Sequence, residues 1–138
     1  MIFWIEKGVE VSYDQLIEDL NNDNPIVILS GYKYFLTLLK ELSKGQIITS
    51  IESLIQYLID NKHILNFHIQ TSGTTSVPKL INVKVSNCIR YVKKSKIECN
   101  RIWGMGYPHG SFASTQVFFQ SLMNKETVFY LFGINFKT

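Results

Sequence analysis

Phe67-His-Ile-Gln-Thr-Ser-Gly-Thr-Thr-Ser-Val-Pro-Lys-Leu-Ile-Asn-Val-Lys-Val85 is the stretch on which the reading of this chain turns. Phe67 to Thr71 alternates apolar and polar residues, and Leu80, Ile81, Val83 and Val85 continue an alternating pattern after Lys79. A period of two marks half-buried strands, so the stretch predicts strand, loop, strand. The loop crowds the hydroxyls of Thr71, Ser72, Thr74 and Thr75 around Gly73 and ends on Pro78-Lys79. Backbone amides and hydroxyls of such a loop can cradle phosphate oxygens, and a lysine adds a point charge. It is not a Walker loop, because Pro78 stands before the lysine and Leu80 after it.

Outward from this stretch, the pattern alternates strand and helix. Residues 2–5 and 9–11 are β-prone around a turn at Lys7-Gly8. Ser12 with Gln15 forms a capping box for a helix through Leu16, Ile17 and Leu20, which stops at the Asn-rich run before Pro25. Ile26 to Leu29 reads as a strand buried on both faces. Gly31 breaks it, and Phe35, Leu38, Leu39 and Leu42 follow at helical spacing up to Gly45. Gln46 to Thr49 reads as a short strand. Thr49 with Glu52 caps a third helix carrying Leu54, Ile55, Leu58 and Ile59. Beyond Val85, Ser86 caps a helix through about Lys96, Arg101 to Tyr107 is a strand, Ser111 to Met123 a helix, and Thr127 to Phe132 the last strand. Strands separated by helices predict an α/β fold with a mostly parallel sheet, in one domain over residues 1–138.

Composition agrees with a globular domain. The chain has 138 residues, 46% of them hydrophobic and 18% charged, with 8 Gly and 3 Pro. That excludes disordered and collagen-like classes. No run approaches the ~18 apolar residues of a membrane span, and the start has no basic leader, so a cytoplasmic protein is expected. Cys88 and Cys99 form no Cys-x-x-Cys pair and have no His cluster nearby, so reduced thiols are expected and no metal ligands are assigned.

Charge is distributed unevenly. Residues 1–60 hold nine acids against four lysines, whereas residues 79–101 hold seven cations against Glu98 alone. A basic segment can attract nucleotides, coenzyme A or nucleic acid, or can simply be a solvated face. Only Tyr91 interleaves its cations, which disfavours a nucleic-acid platform. His63 and His68 have no ligand partners in sequence, and Trp4, Trp103, Phe118 and Phe119 read as core or interface residues.

The order of residues in the loop carries more than its composition. Thr71, Ser72, Gly73, Thr74, Thr75, Pro78 and Lys79 resemble the phosphate-binding signature of the AMP-forming acyl-adenylate superfamily, which includes acyl-CoA synthetases and peptide-synthetase adenylation domains. Ser76 and Leu80 stand where that family usually has Gly. Val11-Ser-Tyr-Asp-Gln-Leu16 is similar to an early family element, and Met105-Gly-Tyr-Pro-His109 with Gly110 is similar to a region beside its acyl pocket. The likeness extends over most of the chain, but only residues 71–79 are specific.

The resemblance implies an incomplete, N-terminal part of an adenylating-enzyme domain, whether from a split protein, a degenerate relative or a longer chain. Family members use ATP with magnesium: a carboxylate attacks the α-phosphate, pyrophosphate leaves, and the acyl group passes to coenzyme A or a carrier thiol. Thr71, Ser72, Gly73, Thr74, Thr75 and Lys79 are implied to hold the ATP phosphates. His109 is implied as a gate of the acyl pocket; read from the residues alone, it is equally a loop histidine after Pro108. The later family motifs do not follow, so residues 1–138 alone are expected to be inactive and to work with a missing part or another subunit. The alternative is a non-catalytic, partner-binding or oligomerising domain that retains the loop. An uncovered strand edge would favour homo-oligomers.

Overall fold

The molecule is described by a computed structural model over residues 1–25, 29–71, 77, 79–94 and 100–132. Its chain opens with β1 (Ile2–Glu6) and β2 (Val9–Ser12), an antiparallel pair joined at Lys7-Gly8. Both turn residues have positive φ, 50° and 77°, the backbone that matches the twist of a two-residue hairpin. Three helices follow: α1 (Tyr13–Leu20), α2 (Ser30–Leu42) and α3 (Ile51–Asp60). Next come the strands β3 (Asn66–Thr71) and β4 (Lys79–Lys84), the short helix α4 (Val85–Ile89), β5 (Ile102–Met105), α5 (Phe112–Met123) and β6 (Thr127–Tyr130).

These elements make a mixed α/β fold whose main sheet has the strand order β2-β1-β6-β5. β1 and β5 both run parallel to β6, and only β2 is antiparallel, so the sheet is mostly parallel. β3 and β4 form a separate antiparallel pair.

An aromatic core joins the sheet to its helices. Phe3 and Trp4 are both fully buried, because the register of β1 against β2 shifts between Ile2 and Trp4. Trp4 stacks on Tyr130 with ring centroids 5.4 Å apart, and Phe35 of α2 stacks on Phe118 of α5 at 4.4 Å. Rings of this size dominate the apolar area removed from water.

Two carboxylates buried beside the core are satisfied from within. Tyr32 donates to Asp19 at 2.6 Å, linking α2 to α1, and Gln15 donates to the same carboxylate. Burial, with Asp19 alongside, pushes the Tyr32 hydroxyl well above its ordinary pKa. Glu126 accepts from Trp103 Nε1 and from both the main chain and the guanidinium of Arg101.

Several expectations drawn from the sequence change here. Ile26, Val27 and Ile28 lie outside the described residues, and Leu29 is the extended residue before α2. Gly31 does not break an element. It lies buried in the first turn of α2, where an added Cβ would come within 2.8 Å of the Tyr130 ring and 3.0 Å of Glu6 Oε1.

Gln46 to Thr49 is not a strand; the segment buries Ile48, whose carbonyl accepts from Asn21. The cap of α3 is a reciprocal pair of Ser50 and Ser53, one residue later than Thr49 and Glu52. Ser12 does cap α1, but the Gln15 side chain turns to Asp19 instead of back to the cap.

The basic helix shortens most. α4 starts at Val85, not after Ser86, and ends at Ile89. Lys93 is held in irregular chain by Gln120 and Asn124 of α5. Residues 95–99, including Lys96 and Cys99, lie outside the described set. Cys88 is a buried free thiol whose pKa burial pushes up to about 11.

Candidate functional site

The three parallel strands end on one edge of the main sheet, at Glu6, Met105 and Tyr130. In sheets of this type the carboxyl ends of the strands are where ligands bind, since the loops that leave them converge there. The loop from Met105 to Ser111 begins at this edge, pinned by the Leu131 amide donating to the Met105 carbonyl at 2.8 Å. It carries His109.

His109 is half-buried and held on two sides. Its Nδ1 lies 2.8 Å from the Tyr130 hydroxyl, and its ring packs against Tyr34 of α2 with centroids 5.0 Å apart. Gly110 follows at φ 91°, a conformation that favours glycine, and Tyr34 packs over it. Ser111 then caps α5 by accepting from the Ser114 amide.

Behind Tyr130 sits the buried carboxylate of Glu6. Oε1 accepts from Trp4 Nε1 at 2.9 Å and from the Tyr32 amide at 3.1 Å; Oε2 accepts from the Gly31 amide and the Ser30 hydroxyl, both at 3.3 Å. A helix N-terminus is an anion site by virtue of its free amides and dipole. In α2 that place is filled by the protein's own carboxylate. Burial and the charge of Glu6 raise the Tyr130 hydroxyl above its ordinary pKa, while the main-chain N–H of His109 pulls the other way.

Of the phosphate-loop candidates, Thr71 ends β3 and Lys79 begins β4. Thr71 is register partner of Lys79, and its hydroxyl donates to the Lys79 carbonyl at 3.3 Å. Lys79 is exposed and enters no ion pair among the described residues. Ser72, Gly73, Thr74 and Thr75 lie outside the described residues, as do Ser76 and Pro78. The stem, however, is tied to the His109 loop: the Gln70 amide donates to the Gly110 carbonyl at 2.8 Å. The two regions singled out in the sequence, some thirty residues apart, therefore meet.

A groove of about 680 Å³ runs between α2 and β3, lined by Lys33, Tyr34, Leu38, Glu41, Phe67 and His68 among others. It shares Tyr34 with the His109 cluster and lies along the strand that leads to Thr71. His63 is exposed and takes no part.

Glu6, Tyr34 and Tyr130 were not singled out by sequence reasoning. Glu6 offered one signal, an acid closing an otherwise apolar strand. Tyr34 and Tyr130 read as ordinary apolar positions of a helix and a strand. Among the described residues no three His, Cys, Asp or Glu side chains converge as a metal site. No described helix is long and apolar enough to cross a membrane. No family model, curated protein or solved structure matches the chain.

Proposed function

We propose that this chain supplies the phosphate-binding part of an ATP-dependent, AMP-forming carboxylate ligase. ATP and a carboxylic acid are its substrates in this reading, with coenzyme A or a carrier thiol as acceptor. Lys79 neutralises charge on the β- and γ-phosphates as pyrophosphate departs, and Thr71, with the loop it opens, orients them. Preorganised charge of this kind acts on the transition state more than on ground-state binding. His109 serves the acid side, where the carboxylate meets the α-phosphate.

One observation carries the reading. The loop with the Thr71–Lys79 signature stands on a stem hydrogen-bonded, through Gln70 and Gly110, to the residue next to His109. A signature loop placed at random on the surface would have no reason to adjoin the second region of resemblance.

Titration of ATP into the chain by calorimetry tests it. Lys79→Ala should weaken binding about tenfold or more, the worth of a charge-assisted contact. Lys93→Ala and Lys94→Ala should leave binding within about twofold, since Lys93 and Lys94 stand on exposed irregular chain. A silent Lys79→Ala, with binding lost in the other two, would overturn the assignment.

A second reading, a domain that pairs with another subunit, draws on a different feature. Ile102 is 63% exposed and Phe129 37% exposed on the main sheet, an arrangement that association would cover. Sedimentation at tens of micromolar, roughly the range of weak association, separates monomer from oligomer.

A further inference from the structure

We propose that Tyr130 is a positioning residue: its hydroxyl donates to Nδ1 of His109 and so leaves the neutral imidazole protonated at Nε2, as a hydrogen-bond donor to an anionic oxygen bound at this edge. The inference rests on the functional reading above and adds to it the group that reading leaves undefined. The anionic oxygen belongs either to a phosphate or to a carboxylate.

The direction of the Tyr130 proton follows from its neighbours. Glu6 is the strong acceptor nearby, but its oxygens are taken by Trp4, Ser30, Gly31 and Tyr32, and it makes no hydrogen bond with Tyr130. Tyr130 is buried, so its hydroxyl proton needs an acceptor within the protein. The hydroxyl's own proton then has Nδ1 of His109, at 2.8 Å, as its acceptor. Burial and the Glu6 charge both keep the phenol in its O–H form, which can donate. A neutral imidazole that accepts at Nδ1 carries its proton on Nε2.

The ring is also held in orientation. Tyr34 packs on it from α2, Tyr130 bonds it from β6, and the adjoining Gly110 carbonyl is fixed by Gln70 of β3. Two separate elements hold the imidazole, and a third fixes the main chain of the next residue. A donor fixed before the ligand arrives costs no ordering when it binds.

Nitrogen–proton correlation spectra of the His109 ring in the full chain, at a pH where imidazole is neutral, read the tautomer directly. We expect a bare, hydrogen-bonded Nδ1 and a protonated Nε2; a protonated Nδ1 would overturn the inference. Tyr130→Phe keeps the ring that packs on Trp4 but removes the hydroxyl. The Nδ1 resonance should move to its unbonded position, and an unmoved resonance would also overturn the inference.

ATP with magnesium and, separately, benzoate are then titrated. The ligand that shifts the Nε2–H signal identifies the oxygen as phosphate or carboxylate, and no shift with either sinks the donor role. Tyr130→Phe should weaken the responding ligand about 2- to 10-fold, the range for a net hydrogen bond. His109→Gln offers an amide N–H that needs no tyrosine, so Tyr130→Phe should cost nothing further in that background. An equal loss in both backgrounds would mean that Tyr130 is merely structural. The two readings fail separately. A silent Lys79→Ala removes the phosphate assignment and leaves the tautomer untouched, whereas a protonated Nδ1 removes this inference even if Lys79 binds ATP.

Discussion

The two sides of the candidate site are built in contrasting ways. On one side His109 stands against the main sheet, bonded to Tyr130, packed on Tyr34 and backed by the buried Glu6 network. On the other, β4 exposes Lys79, Leu80, Ile81 and Asn82 in a row, and among the described residues it pairs with β3 alone. A two-stranded pair is marginal alone, and this one is anchored through Phe67, Ile69 and Val83 and through the single Gln70–Gly110 bond at its stem. In the proposed reading that difference separates a donor held on the sheet edge from an exposed charge, Lys79, beside it. Function on loops set against a rigid scaffold is the common arrangement.

Mutations on the two sides should separate them sharply. The largest loss is expected for Phe35→Ala, which removes a fully buried ring from its stack on Phe118. About 3–5 kcal/mol should go from the urea-unfolding free energy. A loss under ~1 kcal/mol would mean that the core behind His109 is not packed as described.

Gly31→Ala comes next. The new Cβ would meet the Tyr130 ring at 2.8 Å, and a ring wedged against Trp4 has little room to move. About 1–3 kcal/mol of destabilisation is expected, together with a displaced Tyr130 and an altered His109 signal by NMR. A neutral substitution that left His109 unchanged would erase the contrast in rigidity.

Acid should weaken the sheet side through Glu126. Burial raises its pKa, but the hydrogen bonds from Trp103 and Arg101 outweigh burial and hold the carboxyl below its ordinary value. A depressed pKa contributes stability that is present above the unfolded value, ~4.3, and is lost as pH falls through the folded one. The urea midpoint should therefore drop below about pH 4, and less steeply in Glu126→Gln. Equal slopes would show that Glu126 is not paired in the folded state.

The smallest effect is expected in the hairpin. Leu80 is 67% exposed, so Leu80→Ala should change stability by no more than ~0.5 kcal/mol. A larger loss would show that β4 is covered by something in solution, and would favour the oligomeric reading.

Much of the fold was legible in local pattern. The alternation around the loop marked β3 and β4 to within a residue, Ser12 and its apolar stripe marked α1, and the helix read over Ser111 to Met123 is α5. What misled was local chemistry that tertiary contacts override. Gln46 to Thr49 has strand-forming residues but pairs with none of the described strands, and only Ile48 is drawn inward. The run of cations after Ser86 reads as a solvated helix face. Instead, side chains of α5 take the main chain at Lys93 and hold it in irregular form. Gly31 looks like a stop signal, yet it is a glycine because Tyr130 and Glu6 leave no space for a Cβ.

By itself the sequence determined the class of fold, the position of a hydroxyl-rich loop between two strands, and the lysine that ends it. These depend on periods of two and 3.6 and on turn residues, which are properties of neighbours along the chain. Only the tertiary structure decided that Glu6 fills the α2 N-terminus, that Tyr130 meets His109, and that Gln70 ties the loop stem to Gly110 beside it. Those contacts span from 21 to 40 residues of chain or cross between strands, and each depends on direction and distance between groups that no local pattern encodes. A hydrogen bond forms only where donor and acceptor arrive within about 3 Å and in line, and that arrival is set by how the sheet and helices pack.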